Sequence, residues 1–341
     1  MVHRIHLLET GETFDAAPDE SLLDAALRQG LRLPHECQFG SCGTCRVKIA
    51  TGSVAYEEFP PGLTPEEAAE GYALACQARA TSDLAISPAR RLAPCSEPAR
   101  HLATVTSVRP LGQDVLHLAL ELPPEAQLLY RAGQYVNILL PDGGHRSFSM
   151  ASRPHPQAID FHIRRIPQGR FTNGHATQLR PGDTLPVELP LGNFCYHEED
   201  YRPLLMVATG TGLAPIKSIL ESLMGNDDCP PVSLYWGMRS EADLYLHDEI
   251  QRWAERLCDF RYVPVLSRAG TGWTGRRGYV QQAVMEDFDD LSEHAIYLCG
   301  SPAMIADAKR EFLARNASID HLYSDSFTFQ SAAEPQAAAL A

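Results

Sequence analysis

At 341 residues the chain is too long for one ordinary hydrophobic core, which predicts two or three domains. Its 44% hydrophobic and 21% charged content is that of a soluble globular protein, and no apolar run approaches the ~18 residues of a membrane helix. The formal charge of −14 lacks the basic footprint that nucleic-acid binding requires. The first residues, "MVHRIHLLETGETF", carry no apolar block or small-residue cleavage site, so a cytoplasmic location is expected, where disulfides are rare. The nine cysteines then read as metal ligands plus scattered thiols.

Residues 1–92 form the first expected unit. "RIHLL" and "CRVKIATGSV" alternate or run β-branched, and "SLLDAALRQG" has helical spacing closed by a glycine. Between Ile49 and Ala78 stand five acids (Glu57, Glu58, Glu66, Glu67, Glu70) and no Lys or Arg, a stretch able to steer a basic partner. "SPARRLAPCSEPARH" is rich in Pro, Ala and Arg and reads as a linker. Over residues 98–199 the short runs "LATVTSV", "VLHLALEL", "QYVNILL", "IDFHIRRI" and "TLPVELP", separated by Gly and Pro turns, predict a small antiparallel barrel. Over 200–328 the apolar runs "PLLMVAT", "VSLYWG", "FRYVPVLS" and "AIYLCG" alternate with helical patterns near 214–224, 244–257, 279–287 and 302–316. That alternation predicts a parallel sheet with crossover helices. Residues 329–341 are low in complexity and are expected to be a disordered tail.

Three cysteines crowd into "CQFGSCGTC". The spacing is Cys37-x4-Cys42-x2-Cys45, with Cys76 following after thirty residues, which is the plant-type 2Fe–2S pattern. Four soft thiolates complete two tetrahedral irons, and the small Gly40, Ser41, Gly43 and Thr44 let the loop wrap closely. Structural zinc on four cysteines is the alternative; it usually takes two paired C-x2-C knuckles, and only Cys42 and Cys45 make one.

In "HRSFSMAS", Arg146, Phe148 and Ser149 fall at i, i+2 and i+3, so on a strand the first two share a face and Ser149 turns away. "GRFTNG" offers Gly169 and Thr172 in a glycine-flanked turn that can present N–H groups to a phosphate. "MVATGTGLAPIKSIL" reads as strand, glycine-rich turn and helix, with Gly210 and Gly212 allowing close approach of a ligand and Pro215 suited to an early helical turn. It is not the G-x-G-x-x-G fingerprint. "YLCGSPAMI" ends a strand at Cys299-Gly300; Cys299 is either a buried structural thiol or, at the carboxyl end of a parallel strand, a residue facing the ligand crevice.

Taken in order from about residue 3 to 328, these motifs, together with "AGQYVNILL", "FHIRR", "YWGMR", "GYVQQAV" and "YSDSF", resemble one family. It is that of the iron–sulfur flavoprotein reductases, in which a plant-type ferredoxin domain precedes a ferredoxin–NADP-reductase-like module. The family includes reductases of 3,6-dideoxyhexose biosynthesis, which the motifs resemble most. It also includes reductase components of ring-hydroxylating dioxygenases and of multicomponent monooxygenases. The resemblance implies a β-grasp ferredoxin, an antiparallel β-barrel flavin domain and an α/β parallel-sheet nicotinamide domain. It implies a 2Fe–2S cluster on Cys37, Cys42, Cys45 and Cys76, and FAD with Arg146 on the pyrophosphate, Phe148 on the isoalloxazine and Ser149 near N5. Many relatives have Tyr where Phe148 stands. Gly169 and Thr172 match the second phosphate turn. Thr209, Gly210, Thr211, Gly212, Ala214 and Pro215 match the nicotinamide segment, with Cys299, Gly300 and Pro302 near the nicotinamide. Phe327 matches the aromatic over the flavin's other face, with Phe329 as the alternative. Electrons are then expected to run from NADH through FAD and the cluster to a dehydratase or oxygenase partner. NADPH is the competing donor if Ser267, Arg268, Arg276 and Arg277 make a phosphate clamp. A non-catalytic redox sensor or binding module is the reading of another class, and the complete flavin and nicotinamide motifs argue against it.

Overall fold

A computed structural model of the chain describes residues 2–327, apart from 32, 36, 37, 41, 42, 89–94, 142, 168 and 227. Three main sheets follow one another along the sequence. The first unit contains β1 (His3–Leu7), β2 (Thr13–Ala16), α1 (Leu22–Arg28), β3 (Arg46–Thr51), β4 (Val54–Ala55), α2 (Pro65–Ala69), β5 (Tyr72–Leu74), β6 (Arg79–Ala80) and β7 (Leu84–Pro88). Five of the strands form a sheet in the order β2-β1-β7-β3-β5, with β4 and β6 paired separately. β1 runs parallel to β7, and the other pairs are antiparallel. Helix α1 starts where the Ser21 hydroxyl accepts from the Asp24 amide, and it buries Leu22, Leu23, Ala25 and Ala26 in the sheet's core. A mixed sheet gripping one helix is the expected β-grasp.

The second sheet is wholly antiparallel: β8 (Ala99–Pro110), β9 (Val115–Glu121), β10 (Tyr135–Leu139), β11 (His145–Ser149), β12 (Ala158–Arg164) and β13 (Thr184–Leu191). Its order is β11-β10-β13-β8-β9-β12, and a bridge between Met150 and Phe161 joins the two edges into a barrel. Alternating residues such as Val105, Leu118, Leu120, Val136, Ile138, Phe161 and Val187 fill it. β8 begins at Ala99, so the sheet takes in residues expected in the linker, whose residues 89–94 lie outside those described. The short α3 (Ala176–Gln178) follows a π-helical turn over Arg170–His175.

The third sheet is parallel: β14 (Leu204–Thr209), β15 (Val232–Met238), β16 (Phe260–Leu266), β17 (Arg276–Arg277), β18 (Ala295–Gly300) and β19 (Leu322–Ser326), in the order β17-β16-β15-β14-β18-β19. Helices α4 (Leu213–Leu223), α5 (His247–Arg252), α6 (Val280–Asp287) and α7 (Pro302–Leu313) cover it. Both faces are buried: Met206, Leu234 and Trp236 pack on one side, Leu205, Val207 and Tyr235 on the other. The helix expected over 244–257 shrinks to α5 between two 3₁₀ turns. The Ser240–Asp243 capping pair starts the first of those turns, and Leu246 offers α5 no side-chain cap. β19 was not anticipated as a strand. Among the described residues no helix is long and apolar enough to cross a membrane.

Candidate redox site

Cys45 leads into β3 and Cys76 follows β5. Because Arg46 pairs with Leu74 across those strands, the two cysteines emerge side by side, with the Ala75 amide donating to the Cys45 carbonyl at 2.9 Å. Both are buried, and their sulfurs stand 3.2 Å apart. A disulfide has sulfurs at ~2.05 Å. Thiolates on one tetrahedral metal, with bonds of ~2.3 Å, stand roughly 3.8 Å apart. The separation is nearer the second value, so these two side chains suit a shared metal. Cys37 and Cys42 lie outside the described residues, and among those described no third metal-ligating side chain joins the pair. The surrounding loop is braced: the Gly62 amide donates to the Gly40 carbonyl at 2.7 Å, and the Gln77 side chain donates to the Gln38 carbonyl at 2.9 Å. Burial, with the nearby sulfurs of Cys45 and Cys76, pushes the Tyr56 hydroxyl up to about 12.

On β11, Arg146 lies opposite Ile138 and Phe148 opposite Val136, so the two share a face, while Ser149 lies opposite Tyr135 on the other. Phe148 is half-buried, with its ring 5.6 Å from Phe171 and 6.3 Å from Phe161. Arg146, also half-buried, donates to the His145 carbonyl at 2.7 Å. The buried Ser149 hydroxyl donates to the Asp325 carboxylate on β19 at 3.4 Å. "GRFTNG" is a π-helical turn rather than a loose one. Gly169 packs against the Thr172 hydroxyl, which accepts from the Ile166 amide at 3.2 Å.

The third sheet reverses its strand order at β14, with β15 on one side and β18 on the other. Open parallel sheets bind ligands in the crevice beyond the carboxyl ends of such strands. Thr209–Gly212 and Cys299–Gly300 meet there. A Cβ on Gly212 would collide with the Cys299 carbonyl, and one on Gly300, at φ 141°, with the Thr209 hydroxyl. That hydroxyl accepts from the Ser301 amide at 3.1 Å, and the Trp236 indole donates to the Gly210 carbonyl at 3.0 Å. Thr211 sits within the turn, Ala214 and Pro215 in the first turn of α4, and Pro302 opens α7 behind the Ser301 cap. The Cys299 side chain is 0% exposed and belongs to the apolar core. The Phe327 amide donates to the Gly300 carbonyl at 2.8 Å, which sets this half-buried ring beside the crevice; Phe329 lies outside the described residues.

The flavin motif, the glycine turn and the C-terminal aromatic therefore converge. The polar cradle on β11 and the close-packed glycine backbones fit a flat cofactor and a nicotinamide. Sequence reasoning missed Asp325, because a lone carboxylate in "YSDSF" has no local signal and its partner Ser149 is 176 residues away. It also missed how α4 is seated on the barrel: Lys217 donates to the Ala151 carbonyl at 3.2 Å and to Glu221 at 2.6 Å, and Ser218 donates to the Ser152 carbonyl at 2.6 Å. Beside them His162 Nδ1 lies 3.2 Å from the Tyr245 hydroxyl. Burial first, and then the Lys217 ammonium, pushes His162 down to about 3. Burial raises Asp160, but hydrogen bonds to His117 and Ser152 outweigh it and hold the carboxyl at about 2.

Of the expected phosphate clamp, Arg276 pairs with Glu286 and Asp287, and Arg277 donates to the carbonyls of Ala269, Gly270 and Trp273. Arg268 is exposed.

Three family models match in chain order: the 2Fe-2S iron-sulfur cluster binding domain over residues 5–81, the oxidoreductase FAD-binding domain over 102–196 and the oxidoreductase NAD-binding domain over 206–310. The chain is 38% identical to terephthalate 1,2-dioxygenase, reductase component 2, of Comamonas sp, over 91% of its own length and 92% of that protein. It is 34% identical to the CDP-6-deoxy-L-threo-D-glycero-4-hexulose-3-dehydrase reductase of Yersinia pestis, over 95% and 98%. Among solved structures, the Amycolatopsis cytochrome P450 reductase GcoB superposes with a TM-score of 0.71 at 32% identity, covering 95% of this chain and 98% of that one.

Proposed function

The chain belongs to the iron–sulfur flavoprotein reductases, and from that premise we propose that it carries electrons from NADH to a separate acceptor protein. The observation that carries this reading is the meeting of Ser149, Asp325, Gly300 and Phe327 at one crevice, drawn from two sheets. When bound, NADH supplies a hydride, FAD accepts it and releases electrons singly, and the 2Fe–2S cluster relays them.

The chain's own groups supply binding and orientation. Cys37, Cys42, Cys45 and Cys76 hold the cluster. Arg146 makes charge-assisted hydrogen bonds to the FAD pyrophosphate, and Gly169 and Thr172 border its second phosphate turn. Phe148 offers a ring face without a tyrosine hydroxyl, and Phe171 and Phe161 fix its tilt. Ser149 keeps a hydroxyl at the meeting edge, oriented by the Asp325 carboxylate. Thr209, Gly210, Thr211, Gly212, Pro215, Gly300 and Pro302 border the nicotinamide; the Cys299 backbone and Phe327 close the crevice around it, while the Cys299 side chain stays in the core. The three units span 1–92, 98–199 and 200–328, with a tail over 329–341 that lies outside the described residues. NADH is the donor in this reading, which the engagement of Arg276 and Arg277 within the chain supports and which leaves Arg268 as the cation to test.

The acceptor is a dehydratase of the kind named in the Yersinia relative. The 38% identity to a terephthalate dioxygenase reductase favours a second reading, in which it is an oxygenase component.

Cys76→Ala tests the order of carriers. The variant should lose its cluster yet keep NADH-driven reduction of ferricyanide, while reduction of cytochrome c falls steeply. Full cytochrome c reduction by this variant would mean that electrons leave from the flavin.

A further inference from the structure

The residue after the ligand Cys45 is a nearly buried cation. Arg46 is 4% exposed and forms an ion pair at 2.9 Å with Glu67, itself 5% exposed. Glu67 is thus no member of the solvated acidic stretch; Glu57, Glu58, Glu66 and Glu70 remain exposed. The same guanidinium crosses to the third sheet's unit, where Nη1 donates to the Ile319 carbonyl at 3.1 Å, and its Nη2 lies 3.4 Å from where a Cβ on Gly43 would stand. Two further contacts join the same surfaces. The Tyr72 hydroxyl donates to Asp320 at 3.3 Å, and Lys309 Nζ lies 3.6 Å from that Gly43 position. Lys309 is on α7, Ile319 and Asp320 lie in the turn between α7 and β19, and β19 carries Asp325 to Ser149. One segment therefore touches the cluster loop at its start and the flavin motif at its end.

We propose that Arg46, paired with Glu67 and anchored on the Ile319 carbonyl, is a positioning residue that latches the cluster loop to the nicotinamide domain and so governs electron delivery to the cluster. The proposal rests on the cluster being the electron exit. Electron transfer between fixed centres weakens steeply with separation, so a loop freed from Ile319 receives electrons more slowly even with its cluster intact. A buried ion pair suits this task, because removing either partner leaves the other charged and desolvated.

The test uses the full-length holoenzyme and reads two acceptors, cytochrome c through the cluster and ferricyanide directly from flavin. Asp320→Lys sets a cation at the Tyr72 hydroxyl, whose ring already carries Lys48 Nζ at 4.2 Å and Arg46 Cζ at 5.9 Å, and it does so from the far side of the joint, on an exposed residue outside both cofactor sites. It should lower cytochrome c reduction about tenfold, the scale set by losing a contact to a charged group. Iron content, FAD content and ferricyanide reduction should stay at parental values. Arg46→Gln should do the same, and Arg46→Lys should restore at least part of the rate. Parental cytochrome c rates in both Asp320→Lys and Arg46→Gln would overturn the latch. So would a loss in Arg46→Gln that merely tracks lost iron while Asp320→Lys is unaffected. Cys76→Ala separates the two failures: if it also keeps its cytochrome c rate, it is the cluster's role as exit that fails.

Discussion

The nicotinamide domain has two joints, and they are built from different material. Against the barrel it sets buried groups: Lys217 and Ser218 on the carbonyls of Ala151 and Ser152, and Tyr245 edge-on to His162 with ring centroids 5.4 Å apart. Against the ferredoxin unit it offers a backbone carbonyl, an exposed carboxylate and one lysine, met by Arg46, Tyr72 and Gly43. The chemistry explains the contrast. Hydride transfer needs reacting atoms held at roughly 3–3.5 Å, so the first joint is packed like a core. A single electron passes without atomic contact, so the second joint can be small and polar.

The contrast breaks most visibly at Lys217. Lys217→Met removes an ammonium that is 8% exposed and leaves Glu221 and the Ala151 carbonyl without it. It should cost about 3 kcal/mol, read as a lower urea midpoint for flavin release, with the cluster's absorbance lost in a separate step.

Acid should loosen the barrel joint before the ferredoxin joint. His162 binds its proton less readily folded than unfolded, so its contribution is complete above about pH 6.5 and falls as pH drops from there towards about 3. Asp160, held at about 2, adds its own loss only below about pH 3.8. His117 and Lys217 face the same cluster of groups. Over that upper window the melting temperature should fall with pH, and His162→Gln should flatten the slope. An unchanged slope would place the acid-sensitive group elsewhere.

Arg146→Ala sharpens the comparison at the cofactor. Lost charge-assisted hydrogen bonds, ~1.5–3 kcal/mol each, should lower FAD retention on dialysis while iron stays bound. The smallest effect is expected at Arg268. Arg268→Ala should leave kcat/KM for NADH within about twofold and NADH ahead of NADPH; a preference for NADPH in the parent would reassign Arg268 to the phosphate clamp.

Much of this was legible in the sequence because the chemistry is local. Four cysteines at fixed spacing, a glycine turn after an apolar strand and alternating runs in a barrel declare themselves within a few residues. What was hidden depends on distant partners. Ser149 and Asp325 are 176 residues apart, and "SDS" has no apolar pattern to mark β19 as a strand. Glu67 reads as one of five solvated acids until the fold brings it to Arg46. The helix over 244–257 was overextended because its spacing is periodic, while the cap that would start it belongs to an earlier turn.

The order of the carriers can be read by anaerobic stopped-flow mixing of the holoenzyme with NADH. At flavin and cluster wavelengths, flavin absorbance should fall first and cluster absorbance follow, and Cys76→Ala should show the first phase alone at the parental rate. Cluster bleaching that precedes or occurs without flavin bleaching would contradict that order.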